Sequence, residues 1–383
     1  MKRQVLIVID SLGCGGAEKS LTALLPRLDY ARMDVDLLVR ARGGLNEARV
    51  PECVRLLDYR PRGIKARLGA AAYSLGFRLL DALGVRRHRA ETLWTLAGWS
   101  FPRMRRRYDV AIAYQQGVPT FFVADKVDAA RKLAWINVDI ATAGYRPGFC
   151  RRYYDRYDRI VAVSRLLRES LDTSTYADAG RLATVYDIVD TSEIRRMSGE
   201  HVNLKPLPAG ALRIVTVGRM QPQKNYLLAV HTAAELKRRG ISFLWHFVGG
   251  GSERPAVAAA AKRLGVADSI VFEGERANPY PWFAAADIYV QTSRFEGFGL
   301  TLAEARVLGK PVVTTDFGVA RDQITDGHNG LIARMTPESV ADKIAALAAD
   351  PALRGLIAAN AAAESNNTAL TESHKVNQLI CDL

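Results

Sequence analysis

Cysteine is scarce and scattered. The 383 residues hold four, Cys14, Cys53, Cys150 and Cys381, with no metal-ligand spacing among them. That excludes a disulfide-stapled secreted domain and suits a reducing compartment. Long apolar runs are missing too. Met1-Lys2-Arg3 leads into Val5–Ile9, which Asp10 interrupts, and no run elsewhere reaches membrane-spanning length. The first run is too short for a secretory core, so a cytosolic product is expected. The G-x-G-x-x-G fingerprint is absent after the first strand, where Ser11-Leu12-Gly13-Cys14-Gly15-Gly16 stands instead; this excludes a dehydrogenase. Acids are in deficit, 40 against 53 Lys and Arg, for a net charge of +13. Most of the excess is local. Between Arg60 and Arg107 twelve cations meet two acids, Asp81 and Glu91, a net +10.

The length is about twice that of a typical domain, so two domains are expected. Val5–Ile9 reads as a buried parallel strand, followed by the glycine loop and a helix from Ala17 to Leu28. Further strands are expected at Val35–Val39, Val54–Leu57, Tyr108–Tyr114, Lys132–Ile136, Tyr157–Ser164 and Ala183–Asp190, with Ser164 capping a helix from Arg165. A linker carries Pro206 and Pro208. Beyond it, short β-rich runs at Ile214–Val217, Leu244–Val248, Ile270–Phe272, Ile288–Val290 and Val312–Thr314 alternate with helices. The fold class is therefore α/β, with two doubly wound domains. The boundaries read as residues 1–198, a linker at 199–210, a second domain at 211–365 and a last helix at 366–383.

Chemistry concentrates in Arg294-Phe295-Glu296-Gly297-Phe298-Gly299-Leu300-Thr301-Leu302-Ala303-Glu304. Gly297 and Gly299 allow tight turns and close approach of a ligand. A helix from Leu300 would leave the N–H groups of Phe298 to Thr301 free for phosphate or other electron-rich oxygens. Glu304, one turn in, could accept two hydrogen bonds from a vicinal diol, with Glu296 before the helix. A strand–loop–helix turn with two solvated glutamates is the bland alternative.

This stretch resembles the E-x7-E motif of family 4 glycosyltransferases, retaining enzymes of the GT-B fold. Val217-Gly218-Arg219-Met220 with Lys224-Asn225, Phe247–Gly251, Val271–Gly274, Ala286–Val290 and Gly309–Val313 extend the resemblance, in order, over residues 212–350. It implies two Rossmann-like domains facing each other across a cleft. It also implies retaining transfer of a hexose or N-acetylhexosamine from a UDP- or GDP-linked sugar, without metal or other cofactor. Glu296, Arg219 and Lys224 are the implied catalytic residues, the two cations holding the diphosphate. Gly250, Glu273 and Arg276 would frame the base, and Gly297, Phe298, Gly299, Leu300 and Glu304 would complete the donor site. Gly15-Gly16-Ala17-Glu18-Lys19 resembles the family's Gly-Gly-Ala-Glu loop, which places Gly15 and Gly16 by the donor. Glu18 and Asn137 fall on the acceptor side, although Glu18 also suits simple compensation of a helix dipole. The family often has histidine at Asn137 and asparagine at Asp187. It also returns its last helix to the N-terminal domain.

In the basic segment 60–107, Leu68, Tyr73, Leu75, Phe77, Leu79, Leu80 and Leu83 are interleaved with glycine, alanine and arginine, and Trp94, Trp99 and Phe101 precede Arg103, Arg105, Arg106 and Arg107. That composition suits an anionic membrane surface over nucleic acid; an ordinary solvated basic face reads the same way. With the resemblance, it implies a glycan or lipid-linked acceptor in bacterial surface polysaccharide assembly, on the inner face of the cytoplasmic membrane. A nucleotide-sugar epimerase of the same fold, or a non-catalytic membrane- or nucleic-acid-binding protein, stays open. Asp155 and Asp158 read as surface charges, and no metal site is expected.

Overall fold

The computed structural model describes residues 1–85, 87–172 and 178–381. Arg86 of the basic segment and the last two residues of the expected C-terminal helix lie outside the described residues. Strands β1 (Arg3–Ser11), β2 (Met33–Ala41), β3 (Arg55–Asp58), β4 (Tyr108–Ala113), β5 (Ala129–Ile136), β6 (Arg159–Ala162) and β7 (Leu182–Thr184) form one parallel sheet, ordered β3-β2-β1-β4-β5-β6-β7. Helix α1 (Gly16–Leu24) follows β1. It ends earlier than expected because Pro26 opens a 3-10 turn at Leu25–Arg27. The run Val5–Ile9 is wholly buried. A parallel strand covered on both faces has no solvent side on which to alternate polar residues.

Strands β8 (Leu212–Val217), β9 (Phe243–Val248), β10 (Ile270–Gly274), β11 (Ile288–Gln291), β12 (Val312–Thr315) and β13 (Leu331–Ala333) form a second parallel sheet, ordered β10-β9-β8-β11-β12-β13. Two apolar cores flank it. One gathers Trp245 and Phe247 with Tyr226 and Leu236 of the helix Tyr226–Arg238. The other gathers Phe283 and Tyr289 with Leu302 of the helix Leu300–Val307. The doubly wound α/β class is as expected. Strand β13 is an addition, too short at three residues to signal itself.

The chain divides into two compact units. The first runs to Ile188, apart from the glycine loop Cys14–Gly16, and resumes at Ala369. The second takes Val189–Thr368 together with that loop. The boundary therefore falls ten residues before the expected 198. The cause is the helix Thr191–Ser198: Ile194 packs into the second unit's core, and Asn278 Nδ2 donates to Met197 O at 2.8 Å.

The helix Ala369–Cys381 belongs to the first unit. Its C-terminal carbonyls carry the negative end of the helix dipole, and arginines meet them. Arg3 and Arg32 donate to Cys381 O at 3.0 and 3.4 Å, and Arg131 to Leu379 O at 3.3 Å. Glu372, almost fully buried, accepts the Tyr186 N–H at 2.9 Å. Asn377 binds both ways: its Oδ1 takes the Asp29 N–H at 2.9 Å, and its Nδ2 donates to Arg27 O at 3.0 Å.

The basic segment folds as a helix pair, and two of its aromatics turn inward. Helix α2 (Gly63–Ala82) packs on α3 (Arg89–Ala97). Trp94 and Phe101, read as interfacial aromatics, are 5% and 6% exposed. They pack with Phe122 and Tyr59, and Trp94 Nε1 donates to Asp125 Oδ2 at 2.9 Å. Arg106 is drawn to the buried Asp36 at 3.3 Å, beside Arg55 and Tyr108. Trp99 alone of the three aromatics stays exposed.

Asn377→Ala removes both hydrogen bonds and leaves the Asp29 N–H unmet. We expect a loss of about 1–3 kcal/mol in urea unfolding of the first unit, with the second unit's transition unchanged. Equal loss in both transitions, or none, counts against this role for the helix.

Candidate active site

In the second sheet the strand order reverses between β8 and β11: β9 and β10 continue to one side, β12 and β13 to the other. Open α/β sheets bind ligands beyond the strand ends at such a reversal. The chain leaving β8 there is Gly218-Arg219-Met220, and the chain leaving β11 is Thr292–Gly299.

Glycines set the backbone spacing. Gly218 N donates to Val248 O at 2.9 Å, and Met220 N to Gly250 O at 2.7 Å. Gly249 and Gly251 have φ of 143° and 146°. A Cβ on Gly249 would stand 2.0 Å from Gly218 O, and one on Gly251 2.4 Å from Met220 O. Only glycine lets these two loops run together. Gly218, at φ 151°, lets the Lys224 side chain cross its Cα, since Lys224 Cε lies 3.0 Å from where its Cβ would be.

Lys224 Nζ lies 2.7 Å from Glu296 Oε1, with both side chains mostly buried. The carboxylate is further held by Ser293 Oγ at 2.6 Å and Gln291 Nε2 at 3.2 Å on Oε1, and by Gln223 Nε2 at 3.1 Å on Oε2. Gln291 in turn accepts from Tyr289 at 2.7 Å and from Thr301 at 3.1 Å. A polar column thus runs from the sheet core to Glu296 and on to the helix Leu300–Val307. Arg294 ties the two loops: its N–H reaches Gln223 O at 2.8 Å, and its guanidinium reaches Asn225 Oδ1 at 3.0 Å. Asn225 holds the left-handed φ of 52° that turns the chain into the next helix. Arg219 stands exposed on the same β8 loop.

Gly297 and Phe298 lead to Gly299, whose φ of 82° starts the helix at Leu300. Gly299 O accepts from Leu302 and Ala303, so the leading amides of Leu300 and Thr301 are the ones that intrahelical bonding leaves over. Glu304 is 1% exposed and accepts the Tyr280 hydroxyl at 2.8 Å. Glu273 has two partners in the structure. His246 Nδ1 donates to it at 2.7 Å, and Arg276 lies 3.7 Å away. Burial holds the His246 pKa down, so the ring is neutral, with Nε2 accepting from Arg213 at 2.6 Å. Arg276 stacks over Trp282, whose buried Nε1 has no partner among the described residues.

The first sheet reverses between β1 and β4. Gly15 and Gly16 lie between β1 and α1, and Gly16 has open space where a Cβ would stand. Glu18, 2% exposed, accepts from Ser11 Oγ at 3.3 Å through Oε1, while its Oε2 has no partner among the described residues. Beyond β4 the buried Gln115 Oε1 is also unmet, and beyond β5 both polar atoms of the Asn137 side chain are. Gln116 Oε1 takes the Asn137 N–H at 3.0 Å. Unsatisfied buried polar atoms are costly, and here they line three adjacent strand ends. Helix-dipole compensation alone would not leave Glu18 buried and half-used. Asp155 and Asp158 are engaged away from these ends, Asp155 with Arg181 at 3.3 Å and Asp158 with Lys132 N at 2.7 Å.

The whole chain superposes on HepE of Anabaena, solved with UDP and glucose, at a TM-score of 0.74, 18% identity and 100% coverage of both chains. The fold is that of the GT-B glycosyltransferases. WaaG, a glycosyltransferase involved in lipopolysaccharide biosynthesis, shares this GT-B fold at a TM-score of 0.62 and 16% identity, over 98% of this chain and 99% of its own. Residues 211–350 match the family described as Glycosyl transferases group 1. That span holds every site candidate named above around the second sheet. D-inositol 3-phosphate glycosyltransferase of Frankia alni is 30% identical over 277 residues, 66% of this chain and 65% of its own. The lipopolysaccharide core mannosyltransferase LpsB of Rhizobium meliloti is 40% identical over 114 residues, 29% of this chain and 32% of its own. The chain thus spans less than two thirds of the length of these curated relatives.

Gln223, Gln291, Ser293, Tyr280 and Gln115 were not singled out by sequence. Gln115 carried a signal, a polar residue directly after an apolar strand; the others touch the glutamates only through the fold.

Asp187, where asparagine is common in the resembling family, is deeply buried. Burial pushes its carboxyl up to about 7, opposed by a hydrogen bond with Ser20. Between the ordinary aspartate value of 3.8 and about 7 the folded chain keeps a proton that the unfolded chain has lost. Stability therefore falls as pH rises through that window and levels off above it. Asp187→Asn should flatten the slope, stabilising by roughly 2–4 kcal/mol at pH 8 and little at pH 4. Denaturant titrations at both pH values check this; parallel curves for parent and variant would refute it.

Proposed function

We propose that the protein is a retaining glycosyltransferase. It moves a hexose or N-acetylhexosamine from a UDP- or GDP-linked sugar to a glycan or lipid-linked acceptor in bacterial surface polysaccharide assembly. The observation that carries this reading is the Lys224–Glu296 pair at the strand reversal, 2.7 Å apart and backed by a helix N-terminus. The likeness to HepE, solved with UDP-glucose, supports the donor class.

Departure of the diphosphate builds negative charge on phosphate and positive charge at the anomeric carbon. Arg219, Lys224 and the amides of Leu300 and Thr301 meet the first; they are preorganised and need little reorganisation. Glu296 takes hydroxyls of the donor sugar while keeping Lys224 oriented. Glu304 takes the ribose diol, its carboxylate steadied by Tyr280. Glu273, Arg276 and Gly250 frame the base, and Gly15 and Gly16 approach the donor. Glu18 and Asn137, joined by Gln115, bind acceptor hydroxyls in the first unit: their unmet atoms offer both acceptors and donors. The diphosphate is neutralised by these cations and amides, without a metal or other cofactor.

A thermal-shift screen across nucleoside diphosphates and their sugars tests the donor. Anomeric analysis of the product by NMR tests retention. No shift with any nucleotide would sink the reading, and acceptor-independent turnover would turn it into an epimerase. Glu304→Gln should weaken nucleoside diphosphate binding by roughly 1–3 kcal/mol in calorimetry, because an amide accepts diol hydrogen bonds less strongly. Equal affinity would take Glu304 off the ribose. Arg219→Ala and Lys224→Ala should each cut kcat by about a hundredfold and disturb donor binding less. A change confined to KM would leave them as binding residues only.

A further inference from the structure

Helix α2 is built inside out. Among its 20 residues only Gly69 is buried. The face on α3 and the turn after it is made small: a Cβ on Gly69 would meet Ser100 Oγ at 2.6 Å, and one on Gly76 would meet Leu96 Cδ1 at 2.4 Å. The large aliphatics point the other way. Ile64, Leu68, Leu75 and Leu79 on the helix, and Leu83 just past it, are each at least 55% exposed. Their spacing of four, seven, four and four residues is one helical stripe. A stripe of this length spans about 30 Å. Isolated exposed aliphatics need no explanation, but five in one line do.

Charge selects the occupant. Lys65 and Arg67 flank the stripe at its start, Arg78 near its end, and Arg62 and Arg89 lie at either side of the helix; all five are exposed. Asp81 is the one acid on α2. A second copy of the same stripe, parallel or antiparallel, would set these cations against one another. A flat anionic bilayer accepts both the leucines and the cations. No helix among the described residues is long and apolar enough to cross a membrane.

We propose that the outward face of α2 docks the first unit onto an anionic lipid surface, lying in its plane with Ile64, Leu68, Leu75, Leu79 and Leu83 in the acyl boundary. The docking element is thus an aliphatic helix, not the aromatics and arginines of residues 94–107. The proposal goes beyond sugar transfer and does not need it.

Vesicle flotation tests it, with phosphatidylcholine alone and with added phosphatidylglycerol, at low and high salt. The parent should float with the anionic vesicles, less so in high salt. Leu68→Gln, Leu75→Gln and Leu79→Gln together should lower the partition by at least about tenfold, since three exposed leucines lose their transfer energy. These side chains are solvated, so the triple variant should keep its melting temperature and its affinity for UDP or GDP. Lys65→Gln, Arg67→Gln and Arg78→Gln should remove the preference for phosphatidylglycerol. Absence of flotation by the folded parent, or undiminished flotation of the folded leucine variant, overturns the proposal. Parent dimers that the leucine variant dissolves, without vesicle binding, overturn it in favour of self-association. Nucleotide binding, measured separately, keeps either failure distinct from failure of the glycosyltransferase reading.

Discussion

One carboxylate organises the second unit's strand reversal. Glu296 collects a lysine and three neutral donors on two oxygens. A mostly buried charge is tolerable only when it is paired and its lone pairs are met. Both conditions hold here, and each makes a demand on the fold. Lys224 reaches Glu296 by crossing Gly218. Gly218 can sit there because Gly249 lets the neighbouring loop approach its backbone. Gln291 can donate because Tyr289 and Thr301 fix its amide from the other side. The chemistry of one side chain therefore dictates glycines in one loop and a glutamine at the end of a strand.

The first unit treats its strand ends in the opposite manner. There Glu18 Oε2, Gln115 Oε1 and both polar atoms of the Asn137 side chain are buried without a partner among the described residues. Such groups lower stability unless something arrives to meet them. A carboxylate whose oxygens are met thus stands in one unit, and buried polar groups with unmet atoms stand in the other.

Much of this was legible in the sequence. Unbroken apolar runs announced parallel strands, and the glycine-separated glutamates announced a loop before a helix. What was not legible depends on which side of an element faces inward. Trp94 and Phe101 are aromatic among arginines in sequence, yet they pack inward in space. α2 carries apolar residues all round, so periodicity could not say that its glycines would take the inner face and its leucines the outer. Nothing in the sequence showed that His246 would pair with Glu273. The short β13, and the early boundary at Ile188, have no local signal at all; contacts from distant residues decide both.

The helix Ala369–Cys381 makes the first unit discontinuous in the chain. Arg3 and Cys381, 378 positions apart, share a hydrogen bond. During synthesis the ribosome must complete the entire second unit before the first can receive its last helix. Until then Glu372 cannot cover Tyr186, and Arg3, Arg32 and Arg131 lack the carbonyls they cap. The first unit thus starts before the second in the chain and is completed after it, lacking its last helix while the second is made.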